Sequence, residues 1–176
     1  GMGLAVRLEY AASTRFYLAD RQAGAPWATK LPFPVQVVTR TETRDHVAGT
    51  AGGTVYSYHH AYYDTVEREF RGFGRVDQLD TETYDHFVLR EAANVVEEDL
   101  HQPPVLTRTW YHTGAYFDRE PLHAQFAREA PAAAGGRRLR DPVRSDVLTA
   151  EEARQAARAL KGRVLRQEVC AQDGTP

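Results

Sequence analysis

The sequence predicts a mainly β protein made of long antiparallel hairpins, with one or two short helices toward the C-terminus. Three observations carry this. Apolar and polar residues alternate with a period of two through 4–10, 35–47 and 105–112. Glycines cluster at 48–53, between two runs rich in Val, Thr and Tyr. The clearest 3.6-residue periodicity is confined to 150–161, where helix start and stop signals flank it.

Residues 4–10 read as a strand with Leu4, Val6, Leu8 and Tyr10 on one side. Phe16 to Leu18 is a short apolar patch, and Asp20 to Trp27, with Gly24 and Pro26, reads as a loop. Leu31-Pro32-Phe33-Pro34 is an extended entry segment, because each proline lacks an N–H and biases its predecessor away from helix. A strand over Val35–Val47, a turn over Ala48–Gly53 and a return strand over Thr54–His60 make a long hairpin. Tyr56 and Tyr58 share one face of that return strand, with Val55 and Ser57 on the other.

Tyr62–Asp80 reads as a further strand pair or one long bent strand. Gly72 and Gly74 bracket Phe73, as glycines do at a bulge or a close backbone approach. Residues 81–102 are ambiguous: Phe87–Val96 fits a strand or a short helix, and Pro103-Pro104 ends the stretch. Val105–His112 is a strand, Arg119–Ala130 a short helix and 131–146 a loop without apolar period. Thr149-Ala150-Glu151-Glu152 is a capping box. Behind it Ala153, Ala156, Ala157 and Leu160 form a stripe, and Gly162 stands where a left-handed cap residue is wanted. Arg163–Ala171 resumes strand alternation. The chain divides in this reading into 3–102 and 103–176.

Composition narrows the function classes. With 22 basic and 24 acidic side chains, the net charge of −2 does not suggest a nucleic-acid-binding face. No apolar run is long enough to span a membrane, and no signal peptide is visible; Gly1 before Met2 reads as a cleavage scar. One cysteine, Cys170, makes an intrachain disulfide impossible and leaves structural zinc without its ligands. No cofactor motif is present, since Gly72-Phe73-Gly74 lacks the third glycine and the helix of a dinucleotide fingerprint.

Several clusters invite a chemical reading, each with a plainer one beside it. His59 and His60 lie near Tyr62, Tyr63 and Asp64, and a metal site could draw a third ligand from His112 or Asp64. Neighbouring strand residues point to opposite faces, so the two histidines read more simply as packed, hydrogen-bonded side chains. Trp110, Tyr111 and Tyr62 could stack on a glycan or a partner chain; strand aromatics more often pack across strands. Asp45, Glu67, Glu69, Asp77, Asp80 and Glu82 supply carboxylates, but no spacing pairs two for acid–base work, and Glu67-Arg68-Glu69 with Arg71 reads as an ion-paired strand face. Cys170 lacks the context of a nucleophile and reads as a small apolar residue. No catalytic residue is assigned.

The run from Tyr56 to Val76, Tyr-Ser-Tyr-His-His-Ala-Tyr-Tyr-Asp-Thr-Val-Glu-Arg-Glu-Phe-Arg-Gly-Phe-Gly-Arg-Val, resembles the middle region of bacterial toxin-complex (Tc) B components and of SpvB-type virulence proteins. Three further blocks agree in order: Trp27–Val35, Thr107–Ala115, and Ala159–Val169 followed by Asp173-Gly174. The resemblance covers 3–175. It implies a structural, secreted toxin segment without catalysis: part of an RHS (YD)-repeat shell that, with a C partner, encloses a C-terminal effector until an A component translocates it. It also implies self-association of this segment alone. The chain departs from the family at Ala61 and Thr65, where glycines are usual, and at Cys170, where tyrosine is usual; a positive φ at Ala61 or Thr65 would add strain.

Overall fold

The computed structural model of the chain describes residues 3–47, 50–80, 103–129 and 147–172. In chain order the elements are β1 (Leu4–Ala12), α1 (Thr14–Gln22), β2 (Gln36–Asp45), β3 (Thr50–Asp64), β4 (Glu69–Asp80), β5 (Val105–Tyr111), α2 (Arg119–Glu129), α3 (Ala150–Ala159) and β6 (Val164–Ala171). The expectations for 81–102, for the loop 131–146 and for Asp173-Gly174 lie outside the described residues.

The six strands form one antiparallel sheet in the order β1-β2-β3-β4-β5-β6. Every strand pairs with its neighbours in sequence, so the architecture is mainly β and built from hairpins. β3 is the longest, at 15 residues. It pairs with β2 only near its start, from Thr50 to Val55, and with β4 from Thr54 to Asp64. Beyond the end of the β2 ladder, residues 28–29 bind β3 instead. Thr29 Oγ1 donates to the Ala61 carbonyl at 2.7 Å, and the Ala28 N–H donates to His60 Nδ1 at 3.3 Å.

The glycine signals at 72 and 74 resolve into two different devices. The β3–β4 register shifts between Ala61, opposite Phe73, and Tyr63, opposite Phe70, which leaves Arg71 and Gly72 facing Tyr62. Gly72 takes φ +96° at this bulge. Gly74 is a close approach: a Cβ there would lie 2.6 Å from Phe126 Cζ on α2. Left-handed backbone falls at His60 (φ +56°) and Arg68 (φ +53°), not at Ala61 or Thr65. The strain anticipated at those two departures therefore does not arise there.

Three boundaries differ from the sequence reading. The β2–β3 turn is shorter than Ala48–Gly53, because Gly52 and Gly53 pair with Thr43 and Glu42 inside the ladder. Thr65–Arg68 is a turn, so Tyr62–Asp80 is the end of β3 plus β4 rather than a bent strand. The patch Phe16–Leu18 belongs to α1, which shortens the expected loop to begin at Ala23. Its helical period is faint because only Phe16 on this nine-residue helix is buried.

Two apolar clusters hold the elements together. Tyr62, Trp110, Ala115, Leu122 and Phe126 join β3 and β5 to α2. Phe16, Trp27, Val37 and Ala61 join α1 and the 27–35 segment to β2 and β3, with Tyr58, Phe70 and Phe73 at the margin. Rings meet edge-on, Tyr17–Trp27 at 5.5 Å and Trp27–Phe73 at 6.1 Å. Fully burying one such large side chain contributes roughly 1.5–3 kcal/mol.

α3 carries the expected capping box: Thr149 Oγ1 accepts from the Glu152 N–H, and Glu152 Oε2 accepts from the Thr149 N–H at 2.8 Å. Of its stripe, Ala153 is buried, Ala157 and Leu160 half-buried and Ala156 exposed. The helix stops at Ala159 rather than 161, and Gly162 turns the chain at φ +79°. The Gly162 N–H then donates to the His112 carbonyl and the His112 N–H to the Arg163 carbonyl, both at 2.8 Å, which starts β6 against β5. Among the described residues no helix is long and apolar enough to cross a membrane.

Candidate functional site

The chemistry-bearing side chains converge beside the turn end of the β3–β4 hairpin. His59 and His60 both sit there, in different pockets. His59 Nδ1 lies 2.6 Å from Asp20 Oδ2 on α1, and its Nε2 faces Asp77 Oδ2 at 3.7 Å. Trp27 Nε1 donates to the same Asp20 oxygen at 2.6 Å. His60 is nearly inaccessible, and its Nδ1 accepts from the Ala28 N–H. The other nitrogen, Nε2, therefore carries the proton and donates to Glu129 Oε1 at 2.5 Å.

Arg75 ties the two pockets together, with Asp77 Oδ1 at 3.0 Å and Glu129 Oε2 at 2.8 Å. Gln125 and Trp110 also donate to Glu129, at 2.9 and 3.4 Å. Burial pushes the Glu129 carboxyl up, but the hydrogen bonds from His60 and Gln125 and the charge of Arg75 outweigh it and bring it down to about 2. At Asp20 burial likewise raises the carboxyl, and the His59 and Trp27 contacts leave it lowered on balance.

A second buried pair lies closer to the turn. The Arg71 and Asp64 side chains, 0% and 1% exposed, pair at 2.9 Å. Arg71 Nη1 also donates to the Gly114 carbonyl at 2.6 Å. Asp64 Oδ1 accepts from the Val66 and Glu67 N–H groups at 3.0 Å, which shapes the turn. α3 and the turn after it dock on this corner through Arg154 with Glu67, and through Arg158 and Lys161 with Glu69. Glu67 thus belongs to the turn and pairs with α3, while Glu69 and Arg71 pair along β4 at 3.2 Å as expected. Burial raises the Tyr62 hydroxyl to about 12, helped by Asp64 and Asp118 and opposed by Arg71.

This geometry places each candidate. Tyr62 (1% exposed) and Trp110 (0%) are core residues, and only Tyr111 keeps part of its surface. The three rings do not form a common exposed trough, because Leu122 and Phe126 of α2 pack with two of them. His112 is buried, and its Nδ1 accepts from the Gly114 N–H at 2.9 Å. Asp64, the possible third metal ligand, is committed to Arg71. Among the described residues no three His, Cys, Asp or Glu side chains are placed to hold a metal ion. Asp45 caps the turn after β2 through the Val47 N–H, Asp80 lines an open hollow, and Glu82 lies outside the described residues. Cys170 is exposed on β6. Asp20 and Glu129 have no mark in the sequence as partners of the histidines, since His59 and His60 lie 39 and 69 positions from them along the chain.

The family described as the insecticide toxin TcdB middle/N-terminal region matches residues 1–114, more than half of the chain. The chain belongs to this toxin family. Solved structures agree over nearly its whole length. A crystal structure of TcdB2-TccC3 without its hypervariable C-terminal region is 31% identical, with a TM-score of 0.71. A Photorhabdus luminescens Tc holotoxin pore is 29% identical at 0.67, and a further TcdB2-TccC3 crystal structure 28% identical at 0.66. In each case 99% of this chain is covered, but it spans only 8% of the matched chain. No curated protein matches. The TcdB-family segment therefore has its turn-end network on a fold shared with much larger toxin chains.

Proposed function

We propose that this chain is a wall segment of a Tc-type or SpvB-type B component, where it helps enclose a C-terminal effector and performs no catalysis. The observation that carries the reading is the match of 99% of the chain, at 28–31% identity, to one stretch of TcdB2-TccC3 structures. The site chemistry supports it. The candidate ring nitrogens of His59 and His60 face carboxylates or backbone, and the ions around them lock strands to helices. Such contacts suit side chains that hold a wall in shape. The partners on this reading are the rest of the B component, its C partner and the enclosed effector, in a secreted toxin; an A component would be met through other regions.

The test is made in the full-length B component produced with its C partner. Arg71→Ala combined with Trp110→Ala removes the buried anchors of this segment. The expected result is an effector newly sensitive to added protease, with an unchanged rate once released. An effector that stays protected while the segment itself becomes protease-sensitive would overturn the wall assignment.

A further inference from the structure

α2 and α3 are fastened to the sheet in different ways. α2 buries Leu122, Gln125 and Phe126, and its two apolar side chains sit in one cluster with Tyr62 and Trp110. α3 buries a single residue, Ala153, whose side chain is one methyl group. Burial of apolar surface therefore gives α3 far less hold than α2, since that hold follows area.

Charge supplies the rest. Arg154, Arg158 and Lys161 are spaced four and three residues apart, which sets them along one face. Arg154 pairs with Glu67 in the β3–β4 turn, and Arg158 and Lys161 reach Glu69 at 3.5 and 3.0 Å. The cations are thus all on the α3 side and the anions on the hairpin. The side chains of Arg158, Lys161 and Glu69 stay 45, 38 and 31% exposed, so dissolved salt screens their attraction.

Beneath α3 lies Gly114. A Cβ there would stand 3.3 Å from the Ala157 carbonyl oxygen, from Arg158 Cα and from Arg71 Nη1. No side chain separates the helix backbone, Gly114 and the Arg71 guanidinium, so α3 lies over the buried pair of Arg71 and Asp64. Just after the helix, Gly162 turns the chain at φ +79°, and its bond to the His112 carbonyl pins that turn to β5. The helix has a fixed pivot there and can lift without moving β6.

We propose that α3 is an electrostatic strap: a lid over Arg71 and Asp64, closed by Arg154, Arg158 and Lys161 on Glu67 and Glu69, which pivots at Gly162 and opens as ionic strength rises. The proposal does not rest on the wall assignment above, because every contact in it lies within this chain.

The test is hydrogen exchange read by mass spectrometry on the complete protein that carries this segment, at about 0.1 M and about 1 M salt. Screening then shortens from about 10 Å to about 3 Å. Peptides from α3 are expected to exchange about threefold to tenfold faster at high salt, and Gly114 to follow them. Peptides from α2, β3 and β4 are expected to change less than about twofold. The combined change Glu67→Gln and Glu69→Gln keeps side-chain shape and removes both anions. In that variant α3 is expected to exchange fast at low salt and to gain little more at high salt. A misfolded variant would lose protection in β3 and β4 as well, and the wild-type salt series stands without it. Salt-independent exchange in α3 overturns the proposal. So do an α2 that loosens in step with α3, a Gly114 that stays protected while α3 opens, or a folded variant that keeps the full salt response.

Discussion

The two ends of the β3–β4 hairpin share the same strands and have opposite surroundings. At the turn end, from His59 to Arg75, α1, α2 and the 27–35 segment cover the strands. Charged and polar side chains there are desolvated and matched: Arg71 with Asp64, Arg75 with Glu129, His59 with Asp20. At the other end, Thr41, Thr43, Thr54 and Thr107 with Gln78 and Asp80 line an open hollow of about 430 Å³. Gly52 deepens it by offering no side chain. Alternation of residue types is similar at both ends, so composition does not decide which end is sealed. The covering elements decide, and a charge under them must find a partner or destabilise the fold.

Mutations sharpen that contrast. The largest effect is expected at the turn end from Arg71→Ala, which strands the Asp64 carboxylate in the interior. The expected loss is about 3–5 kcal/mol of unfolding free energy, measured by denaturant titration. Replacing both partners together, Arg71→Met with Asp64→Leu, is expected to recover much of it; no recovery would mean that Asp64 matters chiefly for its turn hydrogen bonds. Gly74→Ala comes next. Its new methyl meets Phe126 at 2.6 Å, so α2 must shift, at about 1–3 kcal/mol in thermal melts.

Acid is expected to act on the sealed end through Glu129. The folded protein holds Glu129 near 2, below its ordinary 4.5, so the unfolded chain takes up this proton first as pH falls. The stabilisation is full above about pH 4.5 and is lost toward pH 2. Allowing for partial screening, it is about 2 kcal/mol. The stability gap between wild type and Glu129→Gln should therefore be widest near neutrality and narrow on acidification. A gap constant between pH 6 and pH 3 would show that Glu129 acts through shape rather than charge. The smallest effect belongs to the open end: Gln78→Ala is expected to change stability by less than about 0.5 kcal/mol. A loss comparable to that of Gly74→Ala would mean that the open end is structured by contacts as firm as those of the sealed one.

The sequence alone determined the strand character, the hairpin, the capping box at Thr149 and the dual glycine signal at 72 and 74. These depend on local rules, a two-residue alternation, a cap spacing of three, and backbone freedom, which are written within a few consecutive residues. The family, too, was legible, because its residues recur in ordered blocks from Trp27 to Val169. The site was read only in part. His59 and His60 stood out as a pair, but their partners Asp20 and Glu129 come from separate helices. Trp110 and Tyr62 looked available on alternating strands, and only the seating of α2 makes them core. α1 was obscured because one buried ring on a short helix gives too faint a period. Tertiary structure decided which face of each strand is covered, and through that which charges must pair, because desolvation depends on what lies across space and not on what lies next along the chain.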